Sequence, residues 1–174
     1  MRRSTAVRQA AGDPTIRLIG AAEMASQMRD IVEAVASHAF EIFERNGRRL
    51  GRELEDWLQA EAELLHPVHL EISESDGTST VKAEIPGFEE QEIMVSIDPH
   101  RVTIIARRDA EASRAVVDPV ERCADQVFRT AELPVEVETA NGAIDLHYDQ
   151  GELTIRLLQR RHAHARMPVG AAWS

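Results

Sequence analysis

The hydrophobic pattern changes its period once, at His66-Pro67, and this change constrains the fold more than any other feature. Before it, apolar residues recur every three or four positions, which places them on one face of an amphipathic helix. After it, apolar and polar residues alternate, which points successive side chains to opposite faces of a sheet. The pattern therefore predicts a helical part followed by a strand part.

The helical part, residues 23–66, predicts two helices joined by a short turn. The first helix covers 24–43 and has one apolar stripe, formed by Met28, Ile31, Val32, Val35, Ala39, Ile42 and Phe43. Asn46-Gly47 ends it, because glycine adopts the left-handed backbone without penalty. The second helix places six residues on one side: Leu54, Trp57, Leu58, Glu61, Leu64 and Leu65. Since one pair buries little surface, we expect it to dock on the strand part or on a second copy.

The strand part, residues 67–159, predicts seven short strands. Turn signals separate them at Asp76-Gly77, Pro86-Gly87, 98–100 and 149–151. Each strand has one apolar and one charged face, as in a sandwich of two antiparallel sheets. No βαβ spacing occurs, which argues against a doubly wound nucleotide-binding sheet. The expected fold class is mainly β: an antiparallel immunoglobulin-like sandwich preceded by an α-helical hairpin.

Charge divides the chain into an acidic body and two basic ends. The net charge is −10, yet residues 1–22 and 160–174 are both net basic. We predict a disordered N-terminal arm and a flexible C-terminal tail there, either solubilising ends or arms that reach a neighbouring subunit. The acidic balance argues against nucleic acid, and no apolar run is long enough for a membrane span. With one cysteine, Cys123, and no apolar signal segment, the expected localisation is cytoplasmic.

Signatures of catalysis are absent from the sequence. There is no GxGxxG, GxxxxGK[ST], HExxH or GxSxG motif, and the acidic residues lie at outward positions of the alternation. The pairs His162/His164 and His66/His69 could hold a metal ion, although most such pairs are solvated. We therefore expect no catalytic residue, no cofactor and no metal. A cleft that gathered certain histidines with carboxylates would favour an enzyme: His69, His100 or His147.

Five short motifs of the strand part follow one another in a fixed order. They are Ile85-Pro86-Gly87-Phe88, 93–97, Val102-Thr103-Ile104, Val127-Phe128-Arg129 ahead of Leu133-Pro134, and 151–155. In this order, residues 68–159 resemble the α-crystallin domain of small heat shock proteins. The resemblance implies an ATP-independent holdase of the stress response that binds unfolded or partly folded client proteins, as a homodimer or larger homo-oligomer. The helical part, from about Val35 to Leu64, is similar to a short bacterial helical domain of unknown function.

The resemblance also implies roles for individual residues. It implies a partner-binding groove between two edge strands, formed by Ile93, Val95 and Ile97 on one side and by Ile144 and Leu146 on the other. It implies a C-terminal anchor at Met167 and Val169, whose alternate apolar side chains would fill such a groove. It implies a dimer interface around Arg129, with Val127 and Arg122, and a strand exchanged from the loop 107–124.

A second hypothesis is an adapter, a co-chaperone-like module that binds one folded partner through the hairpin. An exposed Trp57 beside Leu58 would favour this hypothesis, because such a pair can anchor an interface. A Trp57 buried against the sandwich would make the hairpin structural.

Overall fold

Alternating apolar residues build two four-stranded sheets in the computed structural model, which describes residues 16–108 and 126–161. The strands are β1 (Arg17–Leu18), β2 (His69–Ser75), β3 (Thr78–Glu84), β4 (Ile93–Asp98), β5 (Arg101–Arg107), β6 (Gln126–Glu132), β7 (Ile144–Asp149) and β8 (Glu152–Leu158). The sheets have the orders β2-β3-β8-β7 and β1-β4-β5-β6. Among the described strands, only the pair β1 and β4 is parallel. The predicted sandwich is confirmed, and β1 adds an eighth strand.

The two sheets enclose an aliphatic core because the inward strand positions carry Val, Ile, Leu and Ala. Ile85, Ile104 and Ile155 are fully buried in this sandwich core. The turn between β2 and β3 has positive φ at both Asp76 (50°) and Gly77 (76°). Such a turn matches the right-handed twist of the two strands, which explains why Asp-Gly occurs there.

The hairpin consists of α1 (Ala21–Arg45) and α2 (Glu53–Leu64). As predicted, α1 ends at Asn46, and Gly47 follows with φ of 77°. The apolar stripe of α1 packs on the outer face of the β1-β4-β5-β6 sheet, against Met94, Ile105 and Phe128. The residues buried there form what we call the hairpin cluster: Ile19, Met24, Ile31, Val35, Ile42, Ala60, Met94 and Ile105. The hairpin thus docks on the strand part of its own chain.

The predicted stripe of α1 is largely buried, at Ile31, Val35 and Ile42. Four side chains of the two predicted apolar faces are exposed: Met28, Val32, Leu54 and Leu58. In α2, the buried residues are instead Asp56 and Ala60. Ala60 is buried in the hairpin cluster, and Asn46 Nδ2 donates a hydrogen bond to the Asp56 carboxylate over 3.2 Å. The buried residues of α2 are thus a small apolar residue and a carboxylate, while Leu54 and Leu58 are exposed.

The N-terminal boundary also differs from the expected arm 1–22. Residues 17–18 form β1 and α1 begins at Ala21, so the described residues from 16 onward belong to the fold. Two strand residues are too few to produce a visible alternation. Several residues singled out above lie outside the described ranges: Arg122, Cys123, His162, His164, Met167 and Val169. Neither helix of the described residues has the length and apolar character needed to cross a membrane.

Candidate functional site

The residues predicted to line a partner groove converge on the sandwich core. Ile93 and Val95 are fully buried on β4. Ile97 of β4, together with Ile144 and Leu146 of β7, is half-buried and packs against the same core. The structure therefore brings the two predicted sides of the groove to one cluster, with β7 at the edge of its sheet.

The other side of this groove, β4, is covered by β1. The pairing places Leu18 opposite Val95. The Ile19 N–H donates to the Val95 carbonyl over 2.9 Å, and Ile16 packs against the sandwich core. An extended segment of the chain itself thus occupies the edge position that the family resemblance gave to a partner.

Two residues fix the turn beside β7. The Tyr148 hydroxyl donates to the carbonyls of Ile85 (3.0 Å) and Phe88 (2.8 Å). Burial raises the pKa of Tyr148, and the negative charge of Glu92 acts in the same direction, so the hydroxyl remains a donor. Gly151 has φ of 88° and lies so close to Pro86 that an added Cβ would stand 3.0 Å from the Pro86 Cα. The Pro86-Gly87 turn is therefore tied to the β7–β8 turn.

The predicted dimer-interface residues lie in different environments. Arg129 is exposed on β6, the last strand of its sheet in the described residues. Val127, on the same strand, is fully buried in the sandwich core. A partner subunit cannot contact Val127 while the sandwich stays closed, so this residue supports β6 from within. Arg122 lies outside the described residues.

The hairpin exposes apolar side chains that sequence reasoning placed inside or did not single out. Five of them are exposed by 53% to 85% and lie on α1, on α2 and in the turn between the helices: Val32, Phe40, Leu50, Leu54 and Leu58. We call these five side chains together the hairpin patch. Beside it, an open apolar depression is lined by Phe40, Phe43, Leu50 and Trp57 among others. The sequence does offer a sign that Leu50 is exposed. It is an apolar residue in the turn 46–52, where its neighbours are arginines and a glycine.

The predicted pair Trp57 and Leu58 is divided between two environments. Trp57 is half-buried and packs against the hairpin cluster, whereas Leu58 is 53% exposed. The indole packs against the hairpin cluster and also borders the depression. Trp57 is thus neither fully exposed nor buried, so the criterion set above does not choose between a structural hairpin and an adapter.

Several charged groups of the hairpin are joined in pairs. His38 links the two helices, since its Nε2 lies 2.5 Å from Glu63 Oε2 and its Nδ1 lies 3.3 Å from Glu41 Oε2. Gln59 donates to Glu63 over 2.8 Å, and this hydrogen bond, with that of His38, lowers the pKa of the Glu63 carboxyl. Two further pairs lie near the turn: Arg48 with Glu44 and Arg52 with Glu55. The hairpin thus carries both exposed apolar side chains and paired charged groups.

The histidines considered for catalysis are not gathered in one cleft. His100 and His147 lie in different pockets, and His69 is on β2, at the opposite edge of the sheet from β7. Within 16–108 and 126–161, no three His, Cys, Asp or Glu side chains form a group that could hold a metal ion.

Comparison with known families decides which family the sandwich represents. The model of the Hsp20/alpha crystallin family matches residues 71–168, more than half of the chain. The chain belongs to the Hsp20/alpha crystallin family. The Hsp20 match includes β3 to β8 entirely and most of β2. Residues 33–66 match a family of proteins of unknown function (DUF2934), which covers α2 and the second half of α1.

Several solved structures are similar to part of this Hsp20 chain. Heat shock protein 16.0 from Schizosaccharomyces pombe is 18% identical with a TM-score of 0.46, over 60% of this chain and 97% of that chain. A small heat-shock protein from Xylella fastidiosa is 23% identical with a TM-score of 0.46, over 60% and 97% respectively. Stress-induced protein 1 from Caenorhabditis elegans is 18% identical with a TM-score of 0.40, over 60% and 100%. A search of curated proteins found no match.

Proposed function

We propose that this Hsp20 chain is an ATP-independent holdase, which binds partly unfolded proteins and prevents their aggregation. The observation that carries the proposal is the hairpin patch on an Hsp20 sandwich. Unfolding proteins expose apolar surface and unpaired strand edges, and they aggregate through both. A protein that intercepts them needs accessible apolar surface of its own, which the patch provides.

The charged exterior keeps such a surface soluble. The net charge is −10, and the apolar side chains of the patch stand among ion pairs such as Arg48–Glu44. A binder of this kind acts by mass action on the non-native state, so it delays aggregation without raising the stability of the folded client. The proposal therefore includes no nucleotide, no other cofactor and no catalytic residue.

The proposed assembly is a cytoplasmic homodimer or a larger homo-oligomer. Arg129, exposed on β6, is proposed to contact the partner subunit, together with Arg122. Met167 and Val169 are proposed as the C-terminal anchor, and the groove between β4 and β7 as its receptor and as a second client site. The hairpin patch is proposed to make the first contact with clients because it is open, whereas β1 covers the β4 side of the groove.

The apolar depression on the hairpin supports a second candidate, an adapter for one folded partner. Its walls include Phe40, Leu50 and Trp57, and the neighbouring Leu58 is exposed. Aromatic and leucine side chains around a concave surface are suited to receiving a protruding apolar side chain. An adapter would bind a single protein with defined stoichiometry, whereas a holdase would act on unrelated clients.

Light scattering from heat-destabilised model proteins tests the function. Two unrelated clients are heated without nucleotide while this protein is titrated in, and an inert acidic protein of similar size serves as control. A holdase suppresses the scattering of both clients at near-stoichiometric ratios. If scattering is unchanged at every ratio with both clients, the holdase proposal fails and the search moves to a specific partner of the hairpin.

A further inference from the structure

We propose that β1 is an intramolecular ligand of the β4 edge, which an extended apolar segment of a client displaces. That the displacing segment belongs to a client rests on the proposed holdase function. That the chain's own residues 16–19 occupy the β4 edge is independent of that function, because the pairing is present in the structure.

The contacts of β1 are those of a strand-addition ligand. In that mode of recognition, backbone hydrogen bonds supply affinity and alternate side chains supply specificity. Here the Ile19 N–H donates to the Val95 carbonyl over 2.9 Å, and the pairing places Arg17 opposite Met94. Ile16 packs against the sandwich core, which fills the apolar position beside the strand. The edge thus accepts an extended segment with a branched apolar residue at its start.

The same contacts are weak enough to be exchanged. β1 has only two residues, and parallel pairing is slightly less stable per residue than antiparallel pairing. Leu18 is 40% exposed, so its side chain is only partly buried. Arg17 forms an exposed ion pair with Glu23 at 2.6 Å, and exposed pairs contribute little to stability. A strand of two residues, with Arg17 and Leu18 both exposed, opens at lower free energy than the buried strands of the core.

Release of β1 would also affect the hairpin. Ile19 is buried in the hairpin cluster together with Met24 and Met94, directly before the start of α1. Displacing residues 16–19 therefore exposes the β4 edge and removes one anchor of α1 at the same time. Occupancy of the edge and docking of the hairpin are coupled through this one segment.

A reversible engineered disulfide between β1 and β4, which we call the lock, tests the proposal. Arg17→Cys and Met94→Cys are introduced together with Cys123→Ser, because residues 17 and 94 are paired and their side chains meet (Arg17 Nη1 to Met94 Sδ, 3.8 Å). Oxidation fixes β1 on β4, and reduction of the same protein releases it. The matched control is Lys82→Cys with Thr154→Cys in the Cys123→Ser background, a cross-strand pair of β3 and β8 away from this edge.

An opened variant complements the lock. Ile16→Asp removes the side chain that packs on the sandwich core and leaves Ile19 in place, and Ile16→Ser serves if the aspartate variant does not fold. Ser73→Asp is its control, because Ser73 is exposed on β2, in the other sheet and outside the hairpin patch. The thermal unfolding midpoint of each variant verifies that the sandwich is folded.

The probe is a fluorescent peptide with the sequence of residues 14–20, and its anisotropy reports binding. We expect the opened variant to bind it at least about tenfold more tightly than the wild type, because the competing segment is no longer held at high effective concentration. The oxidised lock should bind none until it is reduced, and the control disulfide should have no effect. Equal binding by locked and opened proteins, or binding by neither, would overturn the proposal. This result is independent of light scattering, so failure of the holdase function and failure of the β1 proposal are distinguished.

Discussion

Gly151 shows how one residue sets the path of the chain next to the groove. Its φ of 88° suits glycine, and its Cα approaches Pro86 so closely that a Cβ would lie 3.0 Å from the Pro86 Cα. Gly77 has a similar φ of 76°, but an added Cβ there would meet nothing within 4 Å. Comparing alanine substitutions of the two glycines therefore separates two free-energy costs, that of the backbone conformation and that of the close contact with Pro86.

We expect Gly151→Ala to lower the free energy of unfolding by about 2–3 kcal/mol, and Gly77→Ala by about 1 kcal/mol. The first variant combines an unfavourable backbone conformation with displacement of the Pro86 backbone, and the second has only the former. Urea denaturation of both variants and the wild type measures the difference. Equal losses would show that the contact with Pro86 does not matter.

The sequence predicted inward residues well and buried polar residues poorly. Strand alternation placed Ile85 and Ile155 inside because each points to the apolar face of a sheet. The burial of Asp56 was not predicted, because a carboxylate in the first turn of a helix is usually explained by the helix dipole. Its burial depends on the hydrogen bond from Asn46, which lies in another part of the hairpin.

At the scale of elements, His38 and Glu63 connect α1 to α2. Hydrogen bonds from Gln59 and His38 favour the carboxylate of Glu63 and lower its pKa. Because the folded protein favours the ionised form, this stabilisation is present above the unfolded pKa of about 4.3. It is lost as the pH falls through the lower folded pKa.

Glu63→Gln is accordingly expected to lower the free energy of unfolding at pH 7, by less than about 1 kcal/mol because the pair is exposed. The difference from the wild type should disappear at strongly acidic pH, where protonated Glu63 resembles glutamine. Urea denaturation at neutral and acidic pH measures both values, with Glu33→Gln on the exposed side of α1 as control. A difference that grows on acidification would contradict the account.

Element type was predictable, but the packed face of a short helix was not. The period of two identified the seven strands of the sandwich because both residue spacing and turn signals agreed. In α2, Asp56 and Ala60 are buried and Leu54 and Leu58 are exposed, which the spacing of apolar residues alone did not predict. The pairing of β1 with β4 joins residues 77 positions apart, so no local pattern could reveal it.

At the scale of the molecule, five ordered motifs identified the sandwich family, whereas the docking of the hairpin depended on contacts between distant elements.

The assembly is tested through the C-terminal tail. Replacing Met167 and Val169 together with alanine should lower the mass measured by multi-angle light scattering, because smaller side chains fill an apolar groove less well. The control is alanine substitution of Arg161 and Arg166 in the same tail. An unchanged mass for the first variant would dismiss the anchor.

The central claim is that the hairpin patch of this Hsp20 chain captures aggregating clients. The test uses one variant in which four exposed residues are each changed to glutamine: Phe40, Leu50, Leu54 and Leu58. Glutamine removes the exposed apolar surface and is compatible with helices. The control replaces Arg29 and Glu33, exposed on α1, with glutamine. Light scattering of a heated client is the measurement. We expect the patch variant to require at least about threefold more protein for half-suppression while the control matches the wild type. Undiminished suppression by a folded patch variant would contradict the account.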